Sequence, residues 1–413
     1  MSDTPNIGFV RHEPIPPSPP PVQQAGVVKW VRENLFSNWV NSILTILSIY
    51  FVVKIILAST PWMWNGVWTT SSLRECREVL QGTSGACWSV LAERWNQMLF
   101  GFQYPVEAYW RPTLAFVLLL VCIAPVLFQK LPRKMLIFSA IYPFLAFWLI
   151  WGGTLLTPVI VGLSLIAGYM AFVKTERLIG FATGLLSGVV AVALVLYLGS
   201  FVTAALSGFI ALEPVASRDM GGFMLNLILG TVCVSLSIPL GIVLALGRQS
   251  NMPIIKGICV VFIEFIRGVP LITLLFVANV VLSYFFPPGT NLDLILRVII
   301  MITLFSAAYI AEVIRGGLAA LPRGQYEAAD SLGLDYPQAM RLIILPQALK
   351  ISIPGIVNVA VGLFKDTTLV SVISMFDLVG MIRGPISSST AWTGIYWELY
   401  LFAILLFFVV CYG

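Results

Sequence analysis

Hydrophobic residues dominate four long stretches of the chain that contain no charged side chain: 112–129, 135–173, 178–212 and 220–247. A helix needs about 20 apolar residues to cross the roughly 30 Å hydrocarbon core of a bilayer. A membrane β-barrel would instead alternate apolar and polar residues in segments of about ten residues, and the chain has no such alternation. The pattern therefore predicts an all-α polytopic membrane protein.

The pattern predicts ten transmembrane helices. The run 135–173 is too long for one crossing, and Gly152 with Gly153 favours a tight turn that divides it. The segment 201–212 is predicted to be a short interfacial helix. The predicted spans are 37–58, 112–128, 135–151, 154–173, 178–200, 221–247, 256–286, 294–317, 351–377 and 394–413.

The composition agrees with this class and excludes several kinds of chemistry. The 413 residues are 59% hydrophobic and 10% charged, with a mean hydropathy of +0.93, whereas soluble domains average about 25% charged residues. The one histidine, His12, lies in a proline-rich tail over residues 1–36, so histidine catalysis and a histidine metal site are not expected. The sequence has no phosphate-binding P-loop pattern. We predict no catalytic residue, no metal and no nucleic-acid partner.

Short loops rich in lysine and arginine set the orientation, because such loops stay in the cytoplasm. In the ten-span scheme all of these clusters fall on one side, which is called the cytoplasmic side below; a nine-span scheme would distribute them over both sides. Both termini and the segment 321–350 then lie in the cytoplasm, and the long loop 59–111 is periplasmic. The residues are Lys29, Arg32, Lys130, Arg133, Lys134, Lys174, Arg177, Arg248, Lys256, Arg323 and Arg341.

Charges inside or beside the spans divide the chain near residue 220. The segment 37–220 is predicted to be an N-terminal membrane extension, and the segment 221–413 carries the charges. Ionisable residues inside a membrane are costly and are candidates for function. They are Glu264, Arg267, Glu312, Arg315, Lys365 and Asp366.

The cytoplasmic stretch "EAADSLGLDYPQAMRLIILP" (327–346) predicts a helix–turn–helix. Leu321-Pro322 favours a helix start, and Gly333 suits its left-handed C-terminal position. Asp335 is then expected to cap a second helix, with Gln338 completing the cap, and Pro346 to break or kink it. The flat face at Ala328 allows close approach of another protein; an ordinary solvated loop is the alternative.

The spacing of this stretch resembles the EAA loop of bacterial ABC importer permeases. The matching residues are Glu327, Ala328, Ala329, Gly333, Ile343, Leu345 and Pro346. The segments "EFIRGVPLITLLF" (264–276), "AYIAEVIRGG" (308–317) and "KDTTLVSVI" (365–373) resemble signatures of polar amino-acid permeases. The segment 85–112 resembles the periplasmic insertion in the larger permease subunit of general L-amino-acid transporters.

The resemblance implies a permease subunit of an ATP-driven importer that moves L-amino acids from the periplasm to the cytoplasm. It implies a type I permease core formed by the C-terminal five helices, in a bacterial inner membrane. The implied partners are a cytoplasmic ATPase dimer that binds ATP and Mg²⁺, a second homologous permease and a periplasmic amino-acid-binding protein. The alternative is an ion-coupled secondary transporter, which needs no docking segment and usually contains internal repeats; none is found here.

A broken helix and the membrane charges suggest where solute passes. Gly268 and Pro270 interrupt the span 256–286, and broken helices often line transport sites. An ion pair with a purely structural role is the alternative, and the i,i+3 spacing favours it for Glu312 with Arg315. The candidate pathway residues are Arg267, Thr273, Ser306, Tyr309, Glu312, Lys365, Asp366, Thr367 and Thr368.

Two of the six cysteines, Cys76 and Cys87, lie in the predicted periplasmic loop. Disulfides persist in the periplasm, and these cysteines flank a short segment containing Gly82 and Gly85. A bridge between them is predicted, and two free thiols are the alternative.

The predicted bridge is tested by alkylating denatured protein from its native envelope. We expect Cys76 and Cys87 to resist alkylation until a reductant is added, while the four span cysteines label without it. Mass spectrometry of the labelled peptides gives the measurement. Full labelling of both loop cysteines without reductant would contradict either the bridge or the periplasmic placement, and an impermeant reagent on a cysteine placed at Ser72 in spheroplasts separates the two.

Overall fold

The structure is a computed structural model that describes residues 26–128, 130–281, 284 and 292–413, and most of these residues are helical. The predicted tail lies mainly outside the described residues; its end forms the first helix. The helices are α1 (Gly26–Asn34), α2 (Trp39–Trp64), α3 (Leu73–Leu80), α4 (Ser89–Phe100), α5 (Trp110–Leu127), α6 (Met135–Trp151), α7 (Leu156–Leu178), α8 (Phe181–Ala205), α9 (Gly222–Gln249), α10 (Pro253–Gly268), α11 (Leu271–Phe276), α12 (Leu294–Ala319), α13 (Gly324–Ser331), α14 (Tyr336–Ala339), α15 (Leu345–Asp366), α16 (Leu378–Met381) and α17 (Trp397–Tyr412).

The described helices account for the predicted spans. Seven helices or helix runs are long and apolar enough to cross a membrane, and α10 with α11 forms a bent eighth. The apolar helices α6 and α17 are shorter. The all-α polytopic class with about ten membrane helices is therefore confirmed.

The chain forms two compact units. One contains residues 26–67 and 77–87, and the other contains residues 68–76 and 88–413. The predicted boundary near residue 220 lies within the second unit and stays a prediction.

The turn between α6 and α7 depends on glycine. Gly152 and Gly153 have φ values of +74° and +81°, as the predicted hairpin requires. A side chain on Gly152 would also collide with the carbonyl of Glu213. Next to this contact, β1 (Gly153–Thr154) and β2 (Ala211–Leu212) form a short antiparallel pair.

Two predicted boundaries are wrong. The segment 201–212 is not an interfacial helix, because α8 continues to Ala205 and the segment ends in strand β2. The predicted span 351–377 begins earlier, since helical structure is continuous from Tyr336, and after Asp366 it narrows to a 3₁₀ helix over Thr367–Ile373.

The predicted break at Gly268 and Pro270 is confirmed. Helices α10 and α11 meet at an angle of 103°. Val269 and Pro270 are extended, and the proline ring removes the N–H that would continue the helix. Arg267 lies in the last turn of α10, directly before the bend, and is 3.6 Å from Glu312 of α12.

Glycine allows the core helices α9, α12 and α15 to approach closely. A side chain on Gly241 of α9 would collide with Ile310 of α12, and one on Gly317 of α12 would collide with the carbonyl of Ala348 on α15. Small residues at such crossings are typical of membrane helix interfaces, where van der Waals contact replaces the hydrophobic effect. The backbone contact therefore fixes these three helices against one another.

The periplasmic helix α4 packs on the start of α9. A side chain on Gly101 would lie against the backbone of Gly221, and one on Gly222, whose φ is +60°, would collide with the carbonyl of Met98. The N–H of Gly222 donates to the carbonyl of Phe376 at 2.8 Å. The N-terminal extension thus contacts the C-terminal half backbone to backbone.

The cysteines fall into two groups. Cys76 and Cys87 are disulfide-bonded, whereas Cys122, Cys233, Cys259 and Cys411 are free.

Candidate coupling loop and solute pathway

The turn of the cytoplasmic loop is centred on Gly333, whose φ is +68°. Helix α13 ends at Ser331, and the N–H of Leu334 then donates to the carbonyl of Ala329 at 3.2 Å. This bond reaches back over the last helical turn, as in glycine-terminated helices. The left-handed backbone places Leu334 and Asp335 at the start of the next helix.

Asp335 caps α14, as its position in the sequence predicts. Its carboxylate accepts a hydrogen bond from the N–H of Gln338 at 2.9 Å. The expected start of the first helix at Pro322 is two residues early, because α13 begins at Gly324.

Pro346 does not end the second helix. A π-helical segment over Met340–Ile344 follows α14 and leads directly into α15, in which Pro346 occupies the first turn. Helical structure continues through Pro346, so the predicted break is absent and the loop is joined to a membrane span by continuous helix. The predicted kink stays a prediction.

The predicted coupling residues differ in exposure. Glu327, Ala328, Gly333 and Pro346 are exposed, Ile343 and Leu345 are half-buried, and Ala329 is fully buried. Three large apolar side chains of the loop are also exposed: Leu332 at 73%, Tyr336 at 62% and Leu342 at 64%.

The inner side of the loop is tied to the membrane helices. The side-chain amide of Gln347 on α15 donates to Gln325 on α13 at 3.0 Å. Met340 and Ile344 belong to a buried cluster with Ile310 and Ile314 of α12. The loop therefore contacts both α12 and α15 directly.

The predicted pathway residues Arg267, Tyr309 and Glu312 lie together where the C-terminal parts of α9, α10 and α12 meet. Glu312 accepts from Arg248 at 2.8 Å and from Arg315 at 3.1 Å, and Arg267 lies 3.6 Å away. Arg248 also contacts Glu264 at 2.8 Å. Sequence reasoning gave Arg248 only a topological role, because its partners are 16 and 64 positions distant.

Arg267 is the least satisfied member of this cluster. Its one ion pair is the longest of those to Glu312, and its buried Nε atom has no hydrogen-bond partner among the described residues. Its guanidinium lies 5.5 Å from the ring centre of Tyr309, a cation–π distance. Ser306, one turn away from Tyr309 on α12, also has a buried hydroxyl without a partner in the described structure.

The remaining pathway candidates lie elsewhere. Thr273 is exposed on α11. Lys365 and Asp366 form the last two residues of α15, about 30 Å along a helix that starts at Leu345. Their predicted position inside the bilayer stays a prediction. Thr368, half-buried, donates to the carbonyl of Lys365 at 2.9 Å.

Thr367 belongs to a buried polar group that the sequence did not indicate. The side-chain amide of Asn226, one turn into α9, donates to Thr367 at 2.8 Å and to Asp377 at 3.2 Å. Asp377 also accepts from the N–H groups of Val379 and Gly380 and so caps α16. Asn226 carries no charge and sits in an apolar run, which is why no signal marked it.

Burial raises the pKa of Asp377 to about 6, although the hydrogen bonds from Gly380, Asn226 and Val379 act in the opposite direction. Asp377 is fully buried in the connection between the 3₁₀ helix and α16, outside the spans. The folded protein therefore holds a proton on this carboxyl at a pH where the unfolded chain has released it. The stability that this proton contributes is complete below about pH 4 and is lost as the pH rises toward 6.

We predict that Asp377→Asn removes part of the pH dependence of stability. The free energy of unfolding of the wild type should fall between pH 4 and pH 7, whereas that of the variant should lack this decrease. The expected difference is about 3 kcal/mol, because each unit of pKa shift corresponds to about 1.4 kcal/mol. Thermal unfolding in detergent across this range measures it. Thr367→Val, which removes a neighbouring hydrogen bond but no titrating group, should lower stability equally at every pH. Parallel curves for wild type and Asp377→Asn would contradict the assignment.

Comparison with known proteins places this arrangement in a family. Residues 237–412 match the family described as "Binding-protein-dependent transport system inner membrane component". The chain is 52% identical to a glutamate/glutamine/aspartate/asparagine transport system permease protein of Rhodobacter capsulatus, over 99% of this chain and 95% of that protein. It is 38% identical to an inner membrane amino-acid ABC transporter permease protein of Escherichia coli, over 96% and 93% of the two chains.

A solved structure also matches part of the chain. The match to the crystal structure of an amino acid ABC transporter with histidines extends over 46% of this chain and 86% of the chain in that structure. The sequence identity is 33% and the TM-score is 0.41. The full-length identity to curated permeases decides the assignment. The chain belongs to the family of inner-membrane permease subunits of amino-acid ABC importers.

Proposed function

We propose that this permease passes small polar L-amino acids, including those with a carboxylate side chain, along the basic cluster around Glu312. The observation that carries the proposal is the charge balance of the cluster. Arg248, Arg267 and Arg315 face two carboxylates, Glu264 and Glu312, which leaves one positive charge. The relative from Rhodobacter capsulatus is named for glutamate, glutamine, aspartate and asparagine, and these solutes suit a surplus of positive charge.

Arg267 is proposed to receive the side-chain carboxylate of an acidic solute. Arg248 has two carboxylate contacts at 2.8 Å and holds the helices together, whereas Arg267 has a longer ion pair and an unpaired Nε. A guanidinium binds a carboxylate through two parallel hydrogen bonds. Ser306 and Tyr309, on the same side of α12, supply further polar groups for the ammonium end.

Energy is proposed to come from a separate ATPase dimer, which binds ATP and Mg²⁺ and docks on the cytoplasmic loop. The exposed apolar side chains Leu332, Tyr336 and Leu342 lie on a segment outside the membrane core, and such exposure marks an interaction surface. Glu327 and Ala328 are exposed beside them. The buried contacts of Ala329, Met340 and Ile344 then carry a movement of the loop into α12 and α15.

The other proposed partners are a periplasmic amino-acid-binding protein and a second, homologous permease. The binding protein is expected at the periplasmic junction where Gly101, Gly221 and Phe376 meet. One permease chain supplies one half of the pathway, and the second permease supplies the other.

The pathway proposal is tested with Arg267→Gln in reconstituted transporter. We expect glutamate uptake to fall roughly 10- to 100-fold, the range that the loss of a hydrogen-bonded charge contact produces, and glutamine uptake to fall less. Arg218→Gln, on the exposed periplasmic side at 84% side-chain exposure, is the matched control and should transport as the wild type. Equal effects on both solutes would contradict the carboxylate role.

The coupling proposal is tested with Gly333→Val and Gly324→Val. Both glycines lie in the same loop with open space around them, but only Gly333 has a positive φ. Valine resists the left-handed region, so Gly333→Val should disturb the turn and lower ATP-driven uptake several-fold, with unchanged membrane insertion. Gly324→Val should retain uptake. Normal uptake by Gly333→Val would refute the role of this turn.

A further inference from the structure

The predicted periplasmic part of the N-terminal extension holds one connection of the C-terminal half. The indole N–H of Trp392 donates to the carboxylate of Glu93 on α4 at 2.9 Å, although the two residues are 299 positions apart. The neighbouring carbonyl of Ala391 accepts a hydrogen bond from the N–H of Leu73 at 2.8 Å. Helix α4 and the segment 68–76 therefore both contact the connection between α16 and α17.

Trp392 is the anchor of this connection. Its side chain is fully buried, and a buried indole needs an acceptor for its N–H. Glu93 supplies a charged acceptor, which gives a stronger hydrogen bond than a neutral one, and Arg94 lies 3.2 Å from the same carboxylate. The next residue of α4, Trp95, packs on Phe402 of α17 with 5.4 Å between the ring centres. The position of Trp392 is thus fixed by a helix that itself packs on the last span.

The connection carries exposed hydroxyl groups on both sides of its anchor. Ser388, Thr390 and Thr393 are exposed, and the stretch 384–397 contains no charged residue. The hydroxyls of Ser388 and Thr393 donate to backbone carbonyls within the connection at 2.7 Å, which leaves their oxygens able to accept hydrogen bonds from a partner. Residues 388–394 are called the hydroxyl loop below.

The hydroxyl loop lies on the side of the membrane from which the solute arrives. It follows the ninth predicted span, which places it in the periplasm, and its contacts with Leu73 and Glu93 of the predicted periplasmic loop 59–111 agree with that placement. The matched family is described as dependent on a binding protein. The ATPase is expected on the opposite side and the second permease within the membrane, so the partner that reaches this surface is the binding protein.

We propose that Glu93 is a positioning residue for the binding protein: by holding Trp392, it keeps the hydroxyl loop in the conformation on which the binding protein docks. This inference rests on the proposed function for the presence of that partner. Thr390 and Thr393 flank the anchored indole, so their places on the surface follow from its position. Loops held by a rigid scaffold often carry binding residues, and a preordered loop binds more tightly because less entropy is lost on binding.

The experiment measures ATP hydrolysis by the complete transporter in proteoliposomes against the concentration of glutamate-loaded binding protein. In Glu93→Ala and Trp392→Phe the concentration for half-maximal stimulation should rise about tenfold, the factor that the loss of a hydrogen bond to a charged group produces. The maximal rate should stay unchanged, because the bound partner itself orders the loop. Glu93→Gln keeps an acceptor oxygen and should retain the wild-type value. Trp95→Phe, on the same helix, is the matched control and should behave as the wild type.

A purely structural contact gives a different result. It would lower the amount of assembled transporter or the maximal rate and leave the half-maximal concentration unchanged, and that result would overturn the inference. In spheroplasts with added binding protein, a photo-crosslinking amino acid at position 393 should capture the binding protein, whereas one at the exposed position 331 of the predicted cytoplasmic loop should not. Absence of the crosslink from 393 would also overturn it. If the wild type itself is not stimulated by the binding protein, the proposed function fails instead, so the two failures are distinguishable.

Discussion

The carboxylate of Glu312 fixes the cytoplasmic half of the permease core. Three arginines from three helices contact it or lie beside it, and a charge in a low-dielectric surrounding is tolerated only with such partners. Arg267 lies in the last turn of α10, directly before the 103° bend. The arrangement needs glycine at 241 and 317, where α9, α12 and α15 approach closely. The ion cluster, the broken helix and the small residues therefore form one structural unit.

At the predicted periplasmic end, a buried carboxyl is stabilised without a cationic partner among the described residues. Asp377 is buried among neutral donors, and its pKa is raised to about 6, so the protein stabilises a carboxyl that exchanges its proton near neutral pH. Asn226 joins this group to the first turn of α9 and to Thr367. Helix α4 covers the same region through Gly101 and Gly221. The N-terminal extension is thus part of the packing around the start of α9.

The sequence predicted those features that depend on local chemistry or on the bilayer itself. The spans follow from hydrocarbon thickness, and the turn at Gly333 with the cap at Asp335 follows from two residues whose conformational preferences are strong. The break predicted at Pro346 is absent because a π-helical segment precedes the proline and leads directly into α15. The start of the span that contains Lys365 was misjudged for a related reason, since α15 begins six residues earlier than expected.

The ion cluster could be predicted only in part, because its contacts join residues far apart in the chain. The i,i+3 pair of Glu312 with Arg315 was visible in the sequence, whereas Arg248 needs the packing of α9 against α12 to reach Glu312. The buried Asn226 had no visible signal at all. Uncharged polar residues in apolar runs are therefore the features that a hydropathy pattern misses.

The charged residues of the membrane helices differ in how completely they are paired within the chain. This difference distinguishes charges that stabilise the fold from charges that are available to a ligand. Arg248 has two carboxylates within its own chain, so its contacts stabilise the fold whether or not solute is bound. Arg267 has an incomplete set, and we propose that a solute carboxylate completes it while the solute is present. A charge satisfied within the chain fixes the fold, whereas a charge left incomplete is available to a ligand.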